Sequence, residues 1–545
     1  MSGCLLFLLG IAFGLPNTIL FAVPFCCYGV ACAASAKDFS TIRPSLLWRK
    51  IASLPRFPLL VVLLFFILDF AFSLLPPGDH VEADGLIYHL TVPWQYYLRG
   101  GVVEIPWSVN DKFPLYLQMA QLPFTVLTFP WIIKIWQIAA HVALLVVVWS
   151  WAKRMKYETE ERIWILAFVS AMALFAKQYG TALFDLVNLI YTLLGFYCLA
   201  EAVDSKHRSD MIWGAVFLGI ACAAKTFYIY LAFVWFLAFS VHVYFSKQKF
   251  SPRQILWLSS SPFFSAVFWM IPVYLRNIFL VGNPFFPLFL KQWGPHLDNP
   301  VVREVTQYSY SGIYGYGHSI LDFFLMPFRM VLPDGRFDYW TDPILLIFLA
   351  AALFQWRRLR KEGNGLMCGI AFFLYLFLFL GSQQARFFYP FWILIILLGA
   401  RPLFQRFGKK TLATALALQA MLCTGMIFFF HRDTFTALKH GPITQYLQNI
   451  SFSYLWNKQV PPNTKSLCLR PAFQSSLKDF LYFTVPITVV EHPNSIFALS
   501  ASQNKVSCDA YMIGSQSNPE LIFKPEGRGI VVSKEEFWTG KTGPF

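Results

Sequence analysis

The residue best placed to do chemistry in this sequence is Asp84, at the head of DGLIYHLTVPWQYYLRGGVVEIPW (Asp84 to Trp107). The stretch follows an apolar run, Pro58 to Leu75, that is long enough to cross a bilayer. A polar loop rich in tyrosine and tryptophan at that point lies at the water interface, where both residues are favoured. A carboxylate there reaches a lipid-borne substrate and a soluble one. It can take the proton of an acceptor hydroxyl as the oxygen attacks an anomeric carbon, the base step of an inverting glycosyl transfer. Lys225, Arg276 and Arg386 each stand at the outer end of an apolar run, on the same side as Asp84. Together they suit the phosphate of a lipid carrier, for which the forked donors of arginine are fitted. Taken singly, each also reads as a cation snorkelling to the interface.

Other residues have two readings each. Asp185 opens an apolar run, either as an acid favoured by a helix dipole or as a second acid toward the acceptor or a divalent cation. His89 either orients Asp84, touches phosphate, or is a satisfied interfacial histidine. Asp69 lies inside the span before the loop, about 10 Å below its outer end by helical rise. An acid inside a membrane span suggests function, and a hydrogen bond to a neighbouring helix is its plainer role. Gly282-Asn283-Pro284 reads as a tight turn. The polar stretch from Pro327 to Asp342, with Arg329, Asp334, Arg336 and Asp338, either borders a cleft or is a solvated loop.

The elements that position these residues are membrane spans. Of 545 residues, 57% are hydrophobic and only 13% charged, about half the charged share of a soluble protein. The net charge of +15 is not spread as a nucleic-acid surface would need. Its basic residues cluster between apolar runs, at Lys37 to Arg56, Lys153 to Arg162, Lys206 to Arg208, Lys247 to Arg253, Arg357 to Lys361 and Arg401 to Lys410. These clusters alternate with the apolar runs as the positive-inside rule requires, which predicts a polytopic helical protein of about twelve spans. Asp84, Lys225, Arg276, Arg386 and the tail then fall outside. The first apolar stretch, from Cys4 to Ala34, has no basic region before it, which argues against a cleaved signal peptide. It is either one long tilted span or a tight hairpin broken at Gly14-Leu15-Pro16.

Three regions follow. Residues 1–57 hold the first apolar stretch and a basic linker. Residues 58–430 form the membrane core, with external loops at 77–114 and 282–342. Residues 431–545 have ordinary polar content and strand-like runs such as FTVPITVV and GIVVS, as in a small α/β domain. Of ten cysteines, eight lie in or beside apolar runs. The other two, Cys468 and Cys508, could form a disulfide if the tail faces an oxidising compartment. No Cys/His metal spacing, P-loop, dinucleotide fingerprint or internal repeat is present.

The Asp84 loop resembles the first external loop of the bacterial GT-C membrane glycosyltransferases, relatives of the protein O-mannosyltransferases and of the lipid A aminoarabinose transferase. Asp84, Tyr88, His89 and Pro93 stand where that family has its catalytic acid, an aromatic-His pair and a proline. Further pieces follow in the family's order. They are Asp185 in ALFDLVNL, Lys225 in GIACAAKTFYI, RNIFLVGNPFFP (Arg276 to Pro287) and SQQARFFYPFW (Ser382 to Trp392). The resemblance covers roughly Pro58 to Phe430. Gln118 departs from it, standing where many relatives have an acid. The resemblance implies a GT-C fold, Asp84 as catalytic residue, and a sugar on a polyprenyl phosphate as donor. The acceptor would be a lipid, glycan or protein, and the site and tail would face the periplasm from a bacterial inner membrane. A transporter of a polar solute or lipid-linked glycan is the rival from another class. It would need two related halves and paired broken helices, which the sequence does not show. A non-catalytic envelope scaffold and a glycan polymerase are the remaining alternatives.

Overall fold

The computed structural model describes residues 2–24, 26, 54–77, 82, 84–105, 109–129, 132–246, 250–286, 289–293, 314–332, 335–338, 340–432, 434–435 and 460, together with six strands of the tail. The described residues before 431 are mainly helical. In hydrocarbon every backbone polar group must be paired within its own segment, and long apolar runs meet that demand as helices.

The helices are α1 (Ser2–Phe13), α2 (Arg56–Ser73), α3 (Thr91–Leu98), α4 (Tyr116–Thr128), α5 (Trp136–Arg154), α6 (Thr159–Ser170), α7 (Asp185–Ser205) and α8 (Arg208–Ala223). They continue with α9 (Tyr230–Phe245), α10 (Pro252–Val281), α11 (Ile320–Arg329), α12 (Pro343–Phe354), α13 (Gly365–Leu380), α14 (Tyr389–Arg406) and α15 (Lys409–Phe430). Among the described residues, seven helical stretches are long and apolar enough to cross a membrane. The other apolar runs make shorter helices. Ile163 to Ala176 is α-helical only to Ser170, after which a 3-10 turn covers Ala173–Phe175. The run after Lys225 likewise opens with a 3-10 turn, Thr226–Ile229, before α9.

The first apolar stretch is broken rather than continuous. α1 ends at Gly14, whose φ of 77° few side chains tolerate, and helical residues resume at 17–24. Leu15 N–H donates to Gly100 O at 2.7 Å and Val102 N–H to Gly10 O at 3.0 Å, so the break lies against the loop after Asp84. Leu6 and Phe7 bury against Tyr116 and Met119 of α4. In the middle of the bundle, α7, α8 and α10 pack backbone to backbone. A Cβ at Gly195 would stand 2.7 Å from Leu218 N, and one at Gly214 2.6 Å from the Leu199 side chain. Small residues at such crossings let membrane helices approach closely. α11 turns Ile320, Leu321, Phe324 and Phe328 outward, all exposed, while Arg329 pairs with Asp322 on its polar side. A helix so divided has the pattern of one suited to a membrane–water interface.

In the tail, β1 (Leu467–Pro471) pairs in parallel with β2 (Ile487–Val489) and with β4 (Ala510–Gly514), and β4 pairs antiparallel with β5 (Pro519–Phe523). A second ladder joins β3 (Lys505–Cys508) and β6 (Ile530–Ser533). The runs FTVPITVV and GIVVS supply β2 and β6. Cys468 is on β1 and Cys508 on β3, and their pairing falls outside what the structure describes.

The turn between α6 and α7 is held from several sides. Gly180 N–H donates to Asp69 Oδ1 at 2.7 Å, and Ala182 N–H to Glu82 Oε1 at 3.1 Å. Asp69 Oδ2 lies 3.2 Å from His141 Nδ1, and Glu82 lies 3.2 Å from Lys134 Nζ. Gln137 Nε2 donates to Leu183 O. All five side chains are buried, so removing one partner would strand a polar group away from water. Gly180 has φ 65°, and a Cβ there would overlap Phe72. Gly180→Ala is therefore expected to destabilise the fold by about 1–3 kcal/mol. The readout is a lower thermal midpoint of purified protein in detergent; an unchanged midpoint would show that this turn carries no strain.

Candidate functional site

Asp84 sits at the head of a π-helical turn, Gly85–His89, closed by Leu90 N–H donating to Gly85 O at 2.9 Å. The turn is wider by one residue than an α-helical one, a feature that recurs at functional sites. Gly85 lets it pack closely: a Cβ there would stand 3.2 Å from the Ala182 Cβ, in the turn held by Asp69 and Glu82. Thr91 Oγ1 donates to Leu86 O, and Pro93 falls in the first turn of α3, where no N–H is needed.

Arg386 arrives from the other end of the chain. A 3-10 turn, Ala385–Phe388, leads into α14 and presents the guanidinium to three carboxylates. Nη1 donates to Asp84 Oδ2 at 2.8 Å and lies 3.9 Å from Asp185 Oδ2, while Nε lies 3.5 Å from Asp338 Oδ2 and donates to Gln384 Oε1 at 2.8 Å. Asp185 is nearly buried at the first residue of α7, and its Oδ1 accepts from Lys225 Nζ at 3.1 Å. Lys225 also lies 5.3 Å over the Phe387 ring. Asp338 holds a φ of 68°, a region that costs a non-glycine residue roughly 1–2 kcal/mol. Its loop is tied to Arg386 by Ala385 N–H donating to Phe337 O at 2.8 Å. The Asp84 side chain is 32% exposed, so the carboxylate is open on one side.

Electrostatics set the protonation states. Burial pushes the Asp84 carboxyl up, but the Arg386 guanidinium, with further help from His89 and Lys177, outweighs it and leaves Asp84 well below the usual carboxylate range. Burial pushes the Tyr88 phenol well up, and Asp84 adds to the effect, so Tyr88 is a neutral donor beside the site. Its ring lies 4.0 Å from that of His89. Burial pulls His89 down to about 3, Lys225 and Arg386 reinforcing it against Asp84 and Asp185. The imidazole is neutral, and its Nδ1 lies 2.9 Å from Gln118 Nε2. This contact explains the departure at Gln118. An acid there would draw a proton onto the ring, whereas the amide leaves it neutral.

The structure thus brings together Asp84, Tyr88, His89, Asp185, Lys225 and Arg386. It does not bring Arg276 to them. That guanidinium donates to Asp111 Oδ1 and Asp111 O at 2.7 Å each, and to Val103 O at 3.1 Å. Asp111 is buried, also takes Ile105 N–H and Lys112 Nζ at 3.0 Å each, and accepts from the Tyr96 hydroxyl. Arg276 therefore ties Val103 and Asp111 together rather than facing Asp84. Asp69 has both oxygens engaged, as a structural acid would. Gly282 ends α10 at φ 68°, and Asn283 Oδ1 accepts from Phe285 N–H at 3.0 Å, the tight turn read from the sequence.

Lys177 and Asp338 are the residues that sequence reading missed or left open. Burial lowers the Lys177 pKa, with Asp338, Asp84 and Asp185 opposing it, so its charge belongs to the same group. A lysine in a short turn between two apolar runs was the available signal. Among the described residues, no group of three or more His, Cys, Asp or Glu is arranged to hold a metal ion. At Asp185, the residue read as a candidate for a divalent cation, Oδ1 accepts from Lys225 Nζ while the buried Oδ2 has no hydrogen-bond partner.

Comparison with known proteins adds the fold. No protein-family model and no curated protein sequence matches the chain. Among solved structures, ArnT from Cupriavidus metallidurans in the apo state aligns with TM-score 0.50 and 12% identity, over 82% of this chain and 87% of that one. The same protein bound to undecaprenyl phosphate aligns at 0.49, with the same identity and coverage. The apo oligosaccharyltransferase of Archaeoglobus fulgidus gives 0.41 and 11% identity, over 74% of this chain and 58% of that one. This chain thus shares its fold with apo ArnT, a relative of the kind the motif resemblance pointed to.

Proposed function

We propose that the chain is a membrane glycosyltransferase that moves a sugar from a polyprenyl-phosphate carrier to a lipid, glycan or protein acceptor. In this reading about twelve spans cross a bacterial inner membrane, and the site and the tail, residues 431–545, face the periplasm. The observation that carries the proposal is the Arg386–Asp84 contact at 2.8 Å, with Asp185 and Lys225 beside it. A partly open carboxylate and cations suited to phosphate share one cluster, within a GT-C fold.

The chemistry follows from that arrangement. With Arg386 on Asp84 the carboxylate is a weak base. A lipid-linked phosphate competes for the same guanidinium, and as Arg386 turns to it, Asp84 becomes more basic. The acceptor oxygen then bonds to the anomeric carbon while the bond from that carbon to the phosphate oxygen breaks. Its proton passes to Asp84, and the leaving electron pair stays on the polyprenyl phosphate, held by Arg386 and Lys225. One displacement inverts the anomeric centre. Asp185 holds Lys225 in place, and neutral His89 supports the turn that carries Asp84.

Asp84→Asn nearly preserves shape but removes the base. Transfer of labelled sugar from polyprenyl-phosphate donors in proteoliposomes is expected to fall on the order of 10²–10⁴-fold. Unchanged turnover in the variant would move the base to Asp185. Removing the cation that depresses Asp84 acts with a definite sign. In Arg386→Gln the Asp84 pKa rises, so the acid limb of the pH–rate profile moves to higher pH, while the rate at neutral pH falls because the donor phosphate loses its guanidinium. An acid limb that stays put would disconnect Asp84 from the profile. A carboxylate at position 118 favours the imidazolium. Gln118→Glu is expected to raise the His89 pKa above about 3, read by NMR of labelled histidine. Because the folded value lies below the unfolded one, wild type loses stability as pH falls from about 6.5, and the variant loses less. A steeper acid loss in the variant would contradict this reading of His89.

A further inference from the structure

The end of the bundle opposite Asp84 carries a second cleft. α7 starts at Asp185 in the candidate site and ends at Ser205, a length of about 30 Å by helical rise. Where it ends, a cleft of about 560 Å³ opens between it and the first turns of α8 and α10, within the size range of ligand sites. Lys206, His207, Arg208 and Arg253 stand at its mouth, all exposed. Met211, Ile212 and Trp257 line its wall, and deeper in it Ser261 Oγ has no hydrogen-bond partner.

The charge at this mouth is not neutralised. Lys206 adopts a φ of 60° as it closes α7, and the turn through His207 brings Arg208, the first residue of α8, close behind it. Of the nearby acids, Asp204 is taken by Arg154 at 2.5 Å, and Asp210 accepts from Ser205 Oγ at 3.0 Å. Among the described residues, Lys206, Arg208 and Arg253 form no salt bridge. The apolar wall runs out onto the exposed flank of α10, where Leu256, Phe264 and Phe268 face outward. A cationic mouth that continues into a lipid-facing apolar surface fits a molecule with an anionic head and a hydrocarbon tail.

We propose that this cleft binds an anionic glycerophospholipid of the leaflet away from Asp84, its phosphate among Lys206, Arg208 and Arg253 and its acyl chain along Trp257 and α10. A zwitterionic lipid would bring an ammonium against these cations, and free phosphate would leave the apolar wall uncovered. The assignment does not depend on the proposed glycosyl transfer.

The test uses the full chain in neutral detergent, titrated with phosphatidylglycerol, phosphatidylcholine or inorganic phosphate and read by native mass spectrometry and thermal midpoint. Wild type is compared with Arg208→Gln/Arg253→Gln, whose exposed positions leave the core untouched. The unliganded midpoint of the variant, matching wild type, verifies its folding. Phosphatidylglycerol is expected to bind and raise the midpoint, with phosphatidylcholine weaker. The double variant is expected to lose on the order of ten-fold or more in affinity for phosphatidylglycerol. Equal binding of the two lipids, an undiminished affinity in the variant, or inorganic phosphate binding as tightly as phosphatidylglycerol would overturn the proposal. Should the double variant unfold, Trp257→Ala provides the second test. It is expected to weaken phosphatidylglycerol and leave phosphate unaffected, and an unchanged lipid affinity would overturn the proposal equally.

Discussion

Arg386 is the point at which the two ends of the membrane core meet. Its guanidinium bonds to Asp84, 302 residues earlier, and stands beside Asp185 and Asp338. Three carboxylates around one arginine would repel one another if it were absent, and Lys225 and Lys177 supply the remaining balance. The turns that carry these residues are correspondingly over-determined. Asp69 and Glu82 hold the turn before Asp185 through backbone N–H groups, Gln118 holds His89, and the backbone of Phe337 holds Ala385. A charged cluster at a membrane surface keeps a fixed geometry only when its supports are themselves buried and paired.

In the proposed reaction a carboxylate with a depressed pKa serves as the base because the donor phosphate competes for its cation, Arg386. The narrow crevice beneath the cluster, lined by Asp185, Asn188, Tyr228, Arg386 and Tyr389, has about 10 Å³ of free volume, about one water molecule's worth. In the proposed reaction the sugar approaches from the open side of Asp84, where the donor phosphate reaches Arg386. Donor binding and activation of the base are, in that reaction, coupled through Arg386.

Much of this was legible in the sequence because the bilayer fixes depth. Asp84, Asp185, Lys225 and Arg386 each stand beside an apolar run on one side of the basic clusters, so one aqueous level had to hold them. Depth does not fix which helices are neighbours. Arg276 satisfies the same criterion, yet it belongs to Asp111, a fully buried acid further along the same loop. Nothing in the spacing of Asp84 and Asp111 says which arginine each will take. Asp338 and Lys177 lie in turns whose backbone geometry, including a left-handed aspartate, is set by tertiary contacts rather than by local propensity. The break at Gly14 in the first helix is likewise held by a distant segment, through backbone bonds of Leu15 to Gly100 and of Val102 to Gly10.

The central claim is a single displacement at an anomeric carbon with Asp84 as base, and the configuration of the product tests it most directly. Wild-type protein in proteoliposomes would be given a polyprenyl-phosphate sugar of defined anomeric configuration, and the anomeric coupling of the transferred sugar read by NMR. The account predicts transfer with inversion. A product that retains the donor's configuration would require an even number of displacements and would contradict it, as would the absence of transfer from every such donor.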